Sequence, residues 1–158
     1  MQFWPRKRSK RIYAHVRSWS RKDGGLSGFA GYKVGMTHVT FTDPRKNSMT
    51  KGMDVSSAVT IVECPALKVI GANFYTKDAY GLKMAKTCIT KSDKFRERKV
   101  SRVKKSSEAD VEKLNAADYA DIRAVVQTQP HIAGISKKTP EIFELGLGGS
   151  ISDKFNFI

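Results

Sequence analysis

GFAGYKVGMTHVTFT, Gly28 to Thr42, is the stretch on which the fold turns. Its second half, Val39 to Thr42, is β-branched and aromatic, the composition of a strand rather than a helix. Glycines fall at 28, 31 and 35. A glycine inside a strand marks a bulge, a tight bend or the close approach of another backbone. Three in one strand suit a small barrel whose strands must turn corners. The spacing G-x-x-G-x-x-x-G is not a phosphate loop, because no Gly-Lys-Ser/Thr follows it, so nucleotide binding is not expected.

Downstream, the same chemistry continues. Asp43 to Ser48 forms a turn with Pro44 pre-set for its second position. Val59–Cys64 and Leu67–Tyr75 are two buried strands joined by a kink at Pro65, and Leu82–Thr90 is a third after the turn at Thr76–Gly81. Lys91 to Lys105 is a basic run, either an exposed charged loop or a second RNA contact. Ser106 to Ala120 is expected to be a helix: Ser107 caps it, Glu108 and Asp110 complement its positive start, and Val111 and Leu114 give it an apolar face. Ile122–Pro130 and Glu141–Gly149 are strands separated by a basic turn, Ile135 to Pro140. The last residues open as a helix with Ser152 as cap. Strands, a mixed segment with a helix, then more strands make the chain α+β, with an antiparallel barrel as its base.

Upstream lies the charge. The 158 residues carry 29 Lys and Arg against 15 Asp and Glu, a net +14. That excess points to a polyanionic partner. Residues 1–22 contain Arg6, Lys7, Arg8, Lys10, Arg11, Arg17, Arg21 and Lys22 and no acid, interleaved with Phe3, Trp4, Tyr13 and Trp19. No helical or strand period organises them. A basic arm of this kind repels itself when alone and orders on an anion. Its aromatics suit stacking on unpaired bases, and its arginines suit bidentate phosphate contacts.

Other classes are not expected. There is no run of about 18 apolar residues for a membrane span, and the N-terminus has no apolar core of a secretory signal. Cys64 and Cys88 lack a CxxC spacing and are expected to be reduced thiols in a core. His15, His38 and His131 lie in three different segments with no metal-ligand motif. No nucleophile elbow or dinucleotide fingerprint occurs. Neither an enzyme nor a cofactor is expected.

Gly28 to Val39 resembles the opening motif of the universal large-subunit ribosomal protein L-three family in its archaeal and eukaryotic form. The resemblance continues in order through Lys51–Tyr75, through Tyr80-Gly81, and through Ile122–Pro130 and Lys137–Phe155, and it is to the N-terminal half of that family. Residues 91–115 match poorly. The resemblance implies a translation-type β-barrel with an inserted α/β subdomain and a basic N-terminal extension, binding large-subunit rRNA in the cytoplasmic ribosome and supporting its assembly. It divides the chain into an extension at 1–27, a barrel half at 28–89, an inserted subdomain at 90–150 and a helix start at 151–158. The RNA-contact candidates are Trp4, Arg6, Lys7, Arg8, Lys10, Arg11, Arg17, Trp19, Arg21 and Lys22 in the arm, Lys33 and His38 in the first motif, and Lys137 and Lys138 in the basic turn. Family members run on into a long finger that this sequence lacks, so the expectation is a split protein, with a truncated or fragmentary sequence as the other reading. A complementary chain would supply the C-terminal half of the barrel, and neighbouring ribosomal proteins would complete the surroundings. The alternative is a free RNA-binding or RNA-chaperone protein that retains the half-domain.

Overall fold

The computed structural model describes residues 3, 5–19, 24–89, 93–100 and 113–157. Their strands, in chain order, are β1 (Gly25–Ser27), β2 (Tyr32–Thr42), β3 (Asp54–Glu63), β4 (Lys68–Asp78), β5 (Gly81–Ile89), β6 (Asp121–Gln127) and β7 (Ile142–Gly148). An α-helix, α1 (Ile151–Asn156), and two 3-10 turns, Arg96–Arg98 and Ala116–Asp118, accompany them. The class is α+β with strands dominating, arranged as two open antiparallel sheets. No barrel closes among the described residues.

The larger sheet has the order β1-β7-β6-β4-β5, and the smaller is the ribbon β2-β3. The sheet therefore runs across residue 90: β4, which also pairs with β5, joins β6, which in turn pairs with β7. Residues 64–67 carry the chain from ribbon to sheet. Pro65, with no N–H to give a ladder, sits in that link. In β2 the register shifts between Lys33 and Gly35, an irregularity of the kind that is one of the three readings of a glycine inside this strand.

Alternation gives the larger sheet two faces. On one, Ala72 and Phe74 of β4, Ile122, Ala124 and Val126 of β6, Leu145 and Leu147 of β7 and Cys88 of β5 form the apolar core. Phe74 is wholly buried, with Tyr119 at 5.1 Å and Phe155 of α1 at 6.1 Å between ring centroids. On the other face Asn73, Arg123 and Gly146 stand in one cross-strand row.

Four expectations need correction. Val59–Cys64, expected as a buried strand, has no buried residue, because β3 pairs only with β2 in the two-stranded ribbon. The helix over Ser106–Ala120 is not continued by the described residues at its end; residues 106–112, with Ser107, Glu108, Asp110 and Val111, lie outside the described set. Asn115 and Tyr119 are extended, and only a 3-10 turn lies between them. Tertiary contacts override local preference there, because Tyr119 packs on Phe74 and the Ala120 N–H donates to the Tyr75 carbonyl at 2.8 Å. The final helix is capped by Ser150, not Ser152. Ser150 Oγ accepts from the Asp153 N–H at 3.3 Å, and Asp153 accepts from the Ser150 N–H at 3.0 Å, a reciprocal capping box. Six residues would be marginal alone, but Phe155 and Ile151 pack on the core and Lys154 Nζ reaches Asp121 at 2.7 Å. Finally, Cys88 is buried but Cys64 is exposed, since it falls in the inter-sheet link; both are free thiols.

Candidate nucleic-acid interface

The arm, described from Pro5 to Trp19 apart from Phe3, has no regular secondary structure. Its first part is solvent-exposed, with Arg6, Lys7, Arg8, Lys10 and Arg11 all outward. Its second part is laid on the polar face of the larger sheet. Three contacts hold it. The Tyr13 hydroxyl donates to the Ile142 carbonyl at 2.7 Å, and its ring lies 5.3 Å from that of Phe143. Arg123 Nη2 donates to the Arg17 carbonyl at 3.1 Å. Trp19 lies over Gly146, where a Cβ would run into the indole ring.

Arg123 is the centre of this anchorage. It is buried, yet fully compensated: its Nε donates to Asp121 at 3.2 Å, its Nη1 meets Glu144 at 3.4 Å, and its guanidinium lies 4.4 Å from the centre of the Tyr75 ring. Glu144 in turn accepts from the Tyr75 hydroxyl at 2.7 Å and from Asn73 Nδ2. Burial, with the neighbouring Glu144 carboxylate, pushes the Tyr75 hydroxyl up to about 12. This hydroxyl thus stays a donor at any physiological pH. A buried guanidinium needs such partners, because the desolvation cost of an unpaired charge is several kcal/mol, on the order of the whole stability margin.

The candidate residues of the sequence are thereby sorted. Trp4, Arg21 and Lys22 lie outside the described residues. Arg6, Lys7, Arg8, Lys10 and Arg11 form one exposed basic strand of chain. Arg17 is exposed in its side chain while its backbone is held by Arg123. Trp19 is half-buried against the sheet, with Gly146 and Gly28 beneath its ring. Lys33 and His38 are exposed on the separate β2-β3 ribbon. Lys137 is paired with Glu141, which Lys99 also reaches at 2.9 Å, and Lys138 is exposed. Burial works to raise the Glu141 carboxyl, but the hydrogen bonds from Lys137 and Lys99 outweigh it and hold the group below the usual carboxylate range.

Sequence reasoning missed Asn73, Tyr75, Arg123 and Glu144. The signal was present as period two: Asp121 and Arg123 alternate with Ile122 and Ala124, and Glu144 lies between Phe143 and Leu145. Polar residues at alternate positions of otherwise apolar strands mark a second, occupied face.

The ribbon is a different surface. Its strands pair with each other, and Val34, Met36, Val39, Phe41, Ile61 and Val62 are all exposed. The Tyr32 hydroxyl, 2.7 Å from Thr128 Oγ1, ties its base to the larger sheet. At its far end Asp43 is buried and accepts from the Thr50 hydroxyl at 2.6 Å and the Arg45 N–H at 3.0 Å. Those bonds, with Thr50's the strongest, hold its carboxyl down at about 2. Among the described residues no group of three or more His, Cys, Asp or Glu could hold a metal, and no helix is long and apolar enough to cross a membrane.

Comparison with known families gives the class to which this arm and sheet belong: ribosomal proteins. The model of one family, Ribosomal protein L3, matches residues 1–158, and the chain belongs to that family. Among curated relatives, the large ribosomal subunit protein uL3 of Archaeoglobus fulgidus is 40% identical, over 99% of this chain and 49% of its own. Those of Methanothermobacter thermautotrophicus and Methanosphaera stadtmanae are 43% and 44% identical, each over 98% of this chain and 48% of theirs. The chain spans about half the length of the curated relatives it matches.

Proposed function

We propose that this chain is a structural, ribonucleoprotein constituent of the large ribosomal subunit in the cytoplasm, that it binds large-subunit rRNA, and that it supports subunit assembly for translation. The observation that carries this reading is the arm: five exposed cations between Arg6 and Arg11, on a segment whose other end is held by Tyr13, Arg123 and Trp19. Anchoring one end lowers the ordering entropy that a free tail loses on binding. Trp4, Arg21 and Lys22 extend the same contact, so the RNA-binding extension covers 1–27. Trp19 serves it by fixing the arm to the sheet rather than by stacking on a base.

The ribbon supports a second part of the reading. Its exposed apolar residues and open strand edges are those of an incomplete layer. It belongs to the half of a translation-type barrel at 28–89, completed by the C-terminal half of the fold on a complementary chain, with residues 90–150 as the insertion and neighbouring large-subunit proteins around it. The test is to purify large subunits under a high-salt wash and identify every stoichiometric protein by mass spectrometry. The expected result is this chain at one copy, with a second basic chain that carries the rest of the fold. Loss of this chain in the wash would overturn the ribosomal reading. Retention without a companion would overturn the complementary chain alone.

A further inference from the structure

Two basic segments far apart in the sequence meet at Glu141, next in the chain to the Ile142 on which Tyr13 of the arm is anchored. Glu141 joins them, accepting from Lys99 on one oxygen and from Lys137 on the other. Asp93, at the start of the first segment, is itself pinned to the sheet by Lys68 at 3.1 Å and by Gln127 at 3.2 Å. On this base the Phe95 ring lies face to face with the His131 imidazole, with centroids 4.0 Å apart and planes inclined by 6°. Arg98 places its guanidinium 5.7 Å from the centre of the same Phe95 ring. Lys94, Arg98, His131 and Lys138 are all exposed.

The chemistry of this cluster is selective. Lys99 and Lys137 share the single Glu141 carboxylate, which offsets one of their two charges and holds the two loops together. Lys94, Arg98 and Lys138 add three exposed cations to the charge that remains. An aromatic ring has two faces, and Phe95 covers one face of His131. The outer face continues a flat, parallel stack, which is the geometry that an unpaired base extends. A duplex would meet the cations but could not use the ring, because its bases are already stacked on each other. An acidic protein segment would likewise leave the ring idle.

We propose that this column is a second RNA contact, in which an unpaired nucleotide stacks on the outer face of His131 while Lys94, Arg98 and Lys138 take the adjoining phosphates. The proposal rests on the rRNA-binding reading above and adds a site and a ligand form to it.

The test uses the full chain and large-subunit rRNA in a filter-binding titration over a range of salt, with thermal melts to verify the fold of each variant. His131→Ala is expected to weaken binding about tenfold, and His131→Phe, which keeps the stack, to stay near the parent. The triple variant Lys94→Ala, Arg98→Ala, Lys138→Ala is expected to reduce the slope of log affinity against log salt by about 2. It changes exposed side chains alone, so it reports even where His131→Ala disturbs the turn. An unchanged affinity for His131→Ala, or an equal loss for His131→Phe, overturns the stacking contact. An unchanged salt slope overturns the phosphate contacts. If these variants bind like the parent while Arg6→Ala, Lys7→Ala, Arg8→Ala binds weakly, the column falls and the arm reading stands. If the parent chain itself does not bind rRNA, both fall.

Discussion

The larger sheet and the β2-β3 ribbon use the same kind of strand and reach opposite results. β6 is buried along nearly its whole length, while β2, four residues longer, is exposed at most positions. Their β-propensities do not differ enough to explain this. Neighbours do: β6 has a strand on each side, a helix and Tyr119 over one face, and the arm over the other. Among the described residues, the ribbon has one partner per strand and no layer on either face. A two-stranded ribbon alone is marginal in water, and three or more strands with a covered face are needed for independent stability. One region is thus a covered core, and the other is an exposed ribbon.

The largest effect that would sharpen this contrast is in the covered core. Phe74→Ala should cost about 3–5 kcal/mol in urea unfolding, whereas Phe41→Ala on the ribbon should stay within about 0.5 kcal/mol in the isolated chain. Equal losses would break the comparison. Next, Arg123→Met should cost about 3 kcal/mol, because it leaves Glu144 and Asp121 without their cation. It should also release the arm, seen as faster amide hydrogen exchange over residues 13–19. Unchanged exchange there would remove Arg123 as the anchor. Gly146→Ala should cost about 1–3 kcal/mol by overpacking against Trp19, and Trp19→Ala in the same chain should recover part of that loss. A Gly146→Ala chain as stable as the parent would show that the indole does not sit on β7.

The smallest effect concerns pH at the tip of the ribbon. The Asp43 carboxyl is lowered in the folded chain, from 3.8 to about 2. Its contribution is therefore present above the unfolded value and is lost as pH falls from about 4 towards 2. Amide exchange of Arg45 and Gly52 should quicken over that window, and Asp43→Asn should abolish the dependence. A dependence that survives the substitution would assign it to another carboxylate.

Most strands were legible because local composition determined them: β-branched runs closed by Pro65, Gly81 and Gly149 left few alternatives. The irregularity at Gly35 was legible as one of three readings of a glycine inside a strand. What escaped was set by register. Asn73, Arg123 and Gly146 come from three strands, and only their alignment makes a row, which no single window displays. Trp19 among lysines and arginines has the composition of a base-stacking residue, yet a glycine 127 positions away gives it a seat on the sheet. Ser150 was passed over for Ser152 because the capping box depends on where β7 stops. The segment ending at Ala120 has helical spacing, but Tyr119 is drawn onto Phe74.

The pairing of β1 with β7 carries a consequence for timing. Gly25 is matched with Gly148, and Trp19 rests on Gly146. These partners lie more than 120 residues apart in the sequence, so the segment made earlier is secured only after the later one has formed. At ordinary elongation rates the wait is on the order of ten seconds. Throughout that interval the nascent polycation has no sheet to lie on.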